Sequence, residues 1–501
     1  MSIFNFDYKN VGLQTDSYKL THVYGNQNRR LTKTYAWIGG RRGTSGPDYQ
    51  VAVGQQHIAA TIKSLLLKKK DVDIMEMIST EHLGPGVFNR SQFDEIVENG
   101  GYLPMKIDAI PEGTIVPRGV AIMKVESTSA PELVPFLEAH LQRIWYPTSV
   151  ATRVTEFRTV VHKFLLMTTE PEKAKQIFPF CIHDFGTRAC TTNEQSEIGG
   201  LAALEAGILG SDNLPAIMYA MRLMPDMEVD ASSNKIKMPA YSVPAGEHNV
   251  AFSCGEDGEM KPVETALKKY KKGIVSWPID SFNSQRFVEN MVKPGEYRDL
   301  LMARDGKFVF RPDSPWERGM SHAETVLACF KCIELNLSDL NPENGGIKVN
   351  KKGFLVLPDW LGIIYGDSVT VNDVNDIYSL ITRHNWSAEN IVFGVGGNLL
   401  QNNITRGLLD FAMKCSQQTY LDIETGETKV MDVGKKTPGK ESPTGRFKVI
   451  QRDGKIQMVS EDDGPEPNMM IRYYEDGEIF NFEPLQIIRD RVASYTNFNF
   501  E

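Results

Sequence analysis

The sequence predicts an α/β protein: a (β/α)8-like barrel with a second, smaller α+β, mostly β domain built from N- and C-terminal segments. Three observations predict it. From about residue 178, short apolar runs ending in Gly or Asp alternate with helical patterns, the mark of a parallel sheet. Six or more such units follow one another, which points to a barrel. The tail, by contrast, is polar, rich in turns and carries short strands. The expected boundaries place the barrel at 178–415, with contributions from about 10–35 and 131–150, and the smaller domain at 36–130 plus 416–501.

Taken in order, helical patterns are expected over 54–68 and 131–145, the second ending before Pro147. Segment 104–126 reads as strands and turns, with Pro-Glu-Gly at 111–113 and Pro-Arg-Gly at 117–119 as turn signals. The barrel strands are read from FPFCIHDFG (178–186), AYSVPAGEH (240–248), GIVSWPID (273–280), KFVFRPD (307–313), LGIIYGD (361–367) and NIVFGVGG (390–397). Helices are expected between several of them, over 370–383 and 399–414 for example. In the tail, GRFKVIQ and KIQMVS are short strands between Gly and Asp turns. A doubly wound sheet is the alternative, and it puts the same strand ends at one edge.

Composition narrows the function. With 501 residues, 41% of them hydrophobic, the chain has ample core for two to four domains. A formal net charge of −9 with no long basic tract argues against a nucleic-acid binder. No run of about 18 apolar residues is present, so no membrane span is expected. The first residues, MSIFNFDYKN, lack the pattern of a secretory signal, so a cytoplasmic location is expected. Cys329 and Cys332 form a C-x-x-C, but within a helical pattern and without a second ligand pair, so a reduced, partly buried helix face is expected.

The chemistry-bearing residues cluster at strand ends. Asp184, Asp280, Asp313 and Asp367 occupy equivalent points, where carboxylates hold Mg2+ or accept hydrogen bonds from ribose hydroxyls. Arg188 and Arg311 sit beside them, suited to anionic oxygens. Gly394-Val395-Gly396-Gly397 lies between a strand and the next helix, where bare backbone N–H groups approach a phosphate, though a tight turn explains it equally. Arg406 and Lys414 follow on the expected helix, roughly on one face. Phe185 stands where an aromatic ring stacks on a flat ligand or packs a core. Glu247-His248 ends the strand YSVPAGEH, and a histidine there serves as acid, base or nucleophile, or is structural. Segment 429–446, with four lysines and one arginine among Gly and Pro, is either a solvated loop or one that carries cations to an anionic ligand.

TDSYKLTH (15–22), PEGTIVPRG (111–119), WYPTSVAT (145–152), HDFGTR (183–188), YSVPAGEH (241–248), RPDS (311–314), YGD (365–367) and FGVGGNLLQNNITR (393–406) together resemble the nicotinamide phosphoribosyltransferases, in that family's order and over most of the chain. The resemblance implies transfer from 5-phosphoribosyl 1-pyrophosphate to nicotinamide by a homodimer with both active sites at the subunit interface. It implies a ring held between Phe185 of one subunit and Tyr18 of the other, with Asp212 and Arg311 near the carboxamide. Arg188, Asp313, Gly366, Asp367, Gly396, Gly397 and Arg406 would meet the phosphoribosyl group. Arg41, Lys414, Lys436 and Lys440 would meet pyrophosphate or ATP. His248 matches the family's phosphorylated histidine, with Glu247 beside it, so ATP is an expected co-substrate. The chain departs from the family pattern at Ser368, Asn398, Pro315-Trp316-Glu317 and an insertion near 223–238.

The pyridine nitrogen has a free lone pair, so its attack on the sugar needs no general base. The barrier is charge: a cationic sugar develops as pyrophosphate departs, and Mg2+, Arg and Lys are expected to stabilise the leaving group. Asp280 and Asp313 are the residues expected near ribose and metal. A nicotinate phosphoribosyltransferase is the main alternative; Asp212 speaks against it, since a carboxylate accepts from an amide and repels an acid. A sugar-phosphate isomerase or aldolase lacks its base or Schiff-base lysine here. A non-catalytic scaffold has no need of the intact acids, arginines and glycines.

Overall fold

In the computed structural model, residues 10–22, 25, 28–43, 46–227, 229–230, 235–437 and 442–500 are described. They form two compact units, one of Met1–Thr152, Arg222–Glu228 and Ile404–Tyr495, the other of Arg153–Met221, Val229–Asn403 and Thr496–Glu501.

The first unit is built on a seven-stranded antiparallel sheet. Its long strand Arg29–Gly40 pairs with Phe411–Asp422 on one side and Met123–Ser127 on the other. N- and C-terminal segments therefore share one ladder. The turns expected in 104–126 separate the strands Lys106–Ala109, Thr114–Pro117 and Met123–Ser127, with Gly113 at φ 86 and Gly119 at φ 92, a backbone region open to glycine. Ile38, Ile107, Val125, Phe411 and Tyr474 are buried in the core of this unit. The helix Leu485–Thr496 near the C-terminus has no counterpart in the sequence reading.

The second unit is the barrel. Its strands are β1 (Ile182–Asp184), β2 (Gly210–Ser211), β3 (Lys272–Pro278), β4 (Asp305–Arg311), β5 (Leu361–Tyr365) and β6 (Ile391–Val395). All pair in parallel, in the order β3-β4-β5-β6-β1-β2. Two single parallel bridges, Gly210 with Tyr241 and Ala245 with Ser276, join β2 to β3 through segment 241–245 and close the ring. The strand expected over 240–248 is thus reduced to two bridges; Pro244 in its middle has no N–H for a ladder. Helices such as Ser284–Val292, His322–Asn336 and Val371–Arg383 follow the strands. Ser321 with Glu324 and Thr370 with Asp373 start the last two with reciprocal capping boxes. Phe308, Phe310, Phe330, Phe393, Tyr378 and Trp386 are wholly buried in this unit, each contributing roughly 1.5–3 kcal/mol or more.

Two expected helices differ. Over 131–145 the chain makes two short helices, Leu133–Phe136 and Glu138–Gln142. Pro147 then lies in the first turn of the helix Trp145–Thr168 rather than after a helix, where a missing N–H leaves nothing unpaired. Over 399–414 the helix stops at Leu400. Asn403 at φ 60 and Asp410 at φ 53 turn the chain into the strand Phe411–Asp422. Arg406 is therefore in a turn and Lys414 on a strand, and they share no helix face. Cys329 and Cys332 lie buried and free on His322–Asn336, where burial pushes the Cys332 thiol up to about 12. No helix among the described residues is long and apolar enough to cross a membrane.

Candidate active site

The barrel gathers acids at one end. Asp184, Asp212, Asp280, Asp313 and Asp367 stand at or within two residues of the ends of β1, β2, β3, β4 and β5, and β6 runs into Gly396-Gly397. The carboxyl ends of parallel strands face one way, so a single rim carries all of them.

Their environments separate their roles. Asp184 is fully buried; its carboxylate accepts from Gly186 N at 2.7 Å and Asn213 Nδ2 at 2.9 Å. Burial raises its pKa to about 6 against those two hydrogen bonds. Both oxygens are committed inward, so Asp184 shapes the β1 turn. Asp212 is exposed, and Ser242 Oγ donates to its Oδ1. Asp280 has a nearly buried carboxylate, whose Oδ1 lies 2.9 Å from His248 Nε2. Glu247, expected beside that histidine, is exposed and accepts instead from Asn249 Nδ2 at 3.0 Å.

Arg311 and Asp313 lie together at the end of β4. Arg311 Nη2 donates to Gly246 O at 3.0 Å, and its Nε lies 3.0 Å from Asp313 Oδ2. That last contact is an ion pair without hydrogen-bond alignment, since Arg311 Nε makes no hydrogen bond. Asp313 Oδ1 is likewise buried and has no hydrogen-bond partner among the described residues. Burial raises Asp313 to about 6; Arg311 opposes the rise, while Asp280 and Asp367 add to it. A Cβ at Gly366 would stand 2.9 Å from that free oxygen, so Gly366 keeps the space above it open.

Phe185 leaves β1 with its N–H on Val395 O at 3.0 Å, and its ring lies against β6. A Cβ on Gly394 would come within 2.0 Å of Phe185 Cε2. Gly394 therefore makes room for the ring, and the sequence reading of a phosphate loop is left with Gly396 and Gly397. Gly396 has only Phe185 O within 4 Å of such a Cβ, at 3.7 Å, so its surroundings are open. Arg188 is exposed on the single turn Thr187–Ala189.

The remaining expected residues belong to the β-rich unit. Arg41 is ion-paired to Asp410, with Nη2 2.6 Å from Oδ1, and lines a cavity of about 480 Å3 with Arg42, Lys414 and Asp410. Arg406 Nη1 donates to Phe411 O at 2.7 Å. Tyr18 is 54% exposed on the turn Ser17–Thr21, which Lys19 anchors through a 2.6 Å ion pair to Glu138. Lys436 is exposed, and Lys440 lies outside the described residues. Sequence reasoning missed Asn213, Ser242, His322 and Tyr365. Ser242 stands in the quoted motif YSVPAGEH, and Tyr365 directly precedes Gly366-Asp367; those were the available signals.

A barrel whose strand ends present acids, arginines and a glycine turn suits an enzyme of phosphorylated sugars, and comparison with known proteins gives the class. The model of the nicotinate phosphoribosyltransferase (NAPRTase) family matches residues 180–453, and the chain belongs to that family of phosphoribosyl-transferring enzymes. The nicotinamide phosphoribosyltransferase N-terminal domain matches residues 10–107. Along its length the chain is similar to the nicotinamide phosphoribosyltransferase of Xanthomonas campestris pv. campestris, 28% identical over 493 residues and covering 96% of this chain and 97% of that one. It is similar to the one from Acinetobacter baylyi at 27% identity, covering 87% and 83%. In fold it is similar to a nicotinate-nucleotide pyrophosphorylase from Pyrococcus furiosus (TM-score 0.59, 16% identity, 99% of this chain and 98% of that one). The human nicotinic acid phosphoribosyltransferase is also similar in fold (TM-score 0.56, 12% identity, 94% and 92%).

Proposed function

We propose that the enzyme joins nicotinamide to the phosphoribosyl group of 5-phosphoribosyl 1-pyrophosphate, giving nicotinamide mononucleotide and pyrophosphate in NAD salvage. The observation that carries the choice of amide over acid is the exposed Asp212 carboxylate at the end of β2, turned to Ser242 Oγ. A carboxylate there accepts from the carboxamide N–H2, and it repels a nicotinate. The printed names of the relatives along the full chain support the same choice.

In this reading Phe185 of one subunit and Tyr18 of its partner copy clasp the ring, and Arg311 lies near the carboxamide. The exposure of Tyr18 supports a partner-facing role. Arg188, Asp313, Gly366, Asp367, Gly396, Gly397 and Arg406 hold the phosphoribosyl group. The cationic cavity with Arg41 and Lys414 supplies countercharge for a pyrophosphate, joined by Lys436 and Lys440. The ring nitrogen attacks the sugar directly, so the chain's residues orient it and balance charge rather than remove a proton.

Asp280 and Asp313 suit a magnesium ion shared with substrate phosphates. The buried Asp313 Oδ1, without a hydrogen-bond partner among the described residues, supports this. When bound, the ion neutralises charge on the departing pyrophosphate. Coupling to ATP through a phosphohistidine at His248 is part of the proposal. Asp280 on Nε2 leaves Nδ1 as the nitrogen for phosphoryl transfer.

The test is an assay of the purified protein with phosphoribosyl pyrophosphate and Mg2+, offered nicotinamide or nicotinate, with and without ATP. Nicotinamide mononucleotide is the expected product, and nicotinate should turn over at least about a hundredfold less efficiently. His248→Ala should keep basal synthesis and lose the ATP stimulation. Preferential use of nicotinate would reject the amide reading; equal stimulation of variant and wild type would reject the phosphohistidine.

A further inference from the structure

The chain departs from the family pattern at Ser368 and Asn398, which meet beside Asp367, and the segment after RPDS leads into a helix whose first residue lies near the same acid. Segment 315–321 leads into the helix His322–Asn336, and the Ser321–Glu324 capping box fixes His322 at its first position. There His322 Nδ1 lies 2.6 Å from the phenol oxygen of Tyr365 and 3.8 Å from Asp367 Oδ2. Tyr365 ends β5 and is wholly buried; burial, then Asp367, Asp313, Asp373 and Asp280, keep its phenol protonated. On the other side, Asn398 Nδ2 donates to the carbonyl oxygens of Ser368 and Val369, the latter at 3.2 Å, and accepts on Oδ1 from Asn402 at 3.1 Å. Ser368 itself is held at φ 46, in the left-handed region that a side chain seldom adopts.

The backbone on either side of Asp367 is thus clamped, by β5 before it and by Asn398 after it. What remains free is the carboxylate, one-third exposed at the rim. The imidazole Nδ1 is hydrogen-bonded to the buried phenol and lies within ion-pair distance of this carboxylate.

We propose that His322, backed by Tyr365, is a positioning residue that aims the Asp367 carboxylate at the sugar of the phosphoribosyl donor. This rests on the reading of Asp367 as a phosphoribosyl-binding residue. A carboxylate that accepts from ribose hydroxyls contributes only when its rotamer is set before the sugar arrives; otherwise the ordering is a cost of binding. His322 sets it from the helix end, and Tyr365 holds the imidazole plane, their rings crossing at 70° with centroids 5.5 Å apart. The effect belongs to the donor side of the reaction and leaves the nicotinamide clasp alone.

The experiment compares His322→Ala, His322→Asn, Tyr365→Phe, Asp367→Asn and the Asp367→Asn/His322→Ala double variant in the full-length enzyme. It measures KM for each substrate, kcat and the melting temperature. His322→Ala should raise the KM for phosphoribosyl pyrophosphate about fivefold, the upper scale of a partly exposed ion-pair contact, with the KM for nicotinamide within about twofold. His322→Asn places an amide N–H near Nδ1 and should recover most of that loss. Tyr365→Phe removes one oxygen and leaves the packing, and should raise the donor KM about threefold. In the double variant, removing His322 should add nothing to Asp367→Asn. The inference is overturned if His322→Ala leaves the donor KM unchanged while Asp367→Asn raises it, if both KM values rise together, or if Asn rescues no better than Ala. If Asp367→Asn itself leaves the donor KM unchanged, the placing of Asp367 at the sugar fails, and the inference with it.

Discussion

Gly394 and Phe185 show how one residue's shape dictates another's role. The ring of Phe185 occupies the space a side chain at 394 would need, within 2.0 Å of its Cβ position. Gly394→Ala must therefore push the ring aside, and Phe185, half-buried at the rim, is free to swing. With Phe185 as one face of the nicotinamide clasp, the loss is that of one aromatic stack, about 0.5–1.5 kcal/mol. The expected result is a KM for nicotinamide raised roughly two- to tenfold, with the KM for phosphoribosyl pyrophosphate little changed. Steady-state kinetics on the single variant decide it. Equal changes in both constants would return Gly394 to the phosphate loop where the sequence had put it. The glycine-rich signal in GVGG was legible, but its division of labour was not, because the ring that claims Gly394 is Phe185, 209 positions earlier in the chain.

At the level of elements, legibility followed the length and regularity of the signal. The acids after β3, β4 and β5 could be read because each follows a buried apolar run long enough to identify a strand. β2 has two residues, Gly210–Ser211, too few for any periodicity, so Asp212 came only through family resemblance. The helix expected over 399–414 failed because turns and a strand fill that window with apolar residues at helix-like spacing, while left-handed Asn403 and Asp410 do the breaking. His322 was invisible because its partners Tyr365 and Asp367 lie 43 and 45 positions on, and no local pattern ties them together. The helices also carry a pH dependence. His57 in the helix Gln55–Ser64 and His140 in Glu138–Gln142 are buried, and burial, aided by Arg143, lowers each to about 4 from 6.5. Their folded pKa values lie below the unfolded one, so the unfolded chain takes up these protons first. Stability is then unaffected above about pH 6.5 and is lost as pH falls toward 4, by up to about 3 kcal/mol per histidine. Urea denaturation at pH 7 and pH 5 should show the loss, and replacing both histidines by Gln should flatten it. An undiminished pH dependence in that double variant would place the acid sensitivity elsewhere.

At the scale of the whole molecule, the proposed dimer makes a claim that neither protomer alone can satisfy. Phe185 stands at the end of a barrel strand, whereas Tyr18 stands exposed on a short turn of the other unit, held by the Lys19–Glu138 ion pair. If each site takes Phe185 from one copy and Tyr18 from the other, Phe185→Ala and Tyr18→Ala each damage both sites of their own homodimer. A mixed dimer behaves differently: one of its sites collects both substitutions, and the other collects neither. Random re-assortment of equal amounts makes half of the dimers mixed, each with one intact site of two, so about a quarter of wild-type activity should return. The recovered fraction should show the wild-type KM for nicotinamide, since the intact site contains both native rings, and it should grow with the time allowed for subunit exchange. Mixing that restores nothing, under conditions where labelled subunits demonstrably exchange, would put both rings in one protomer's site or remove Tyr18 from the clasp.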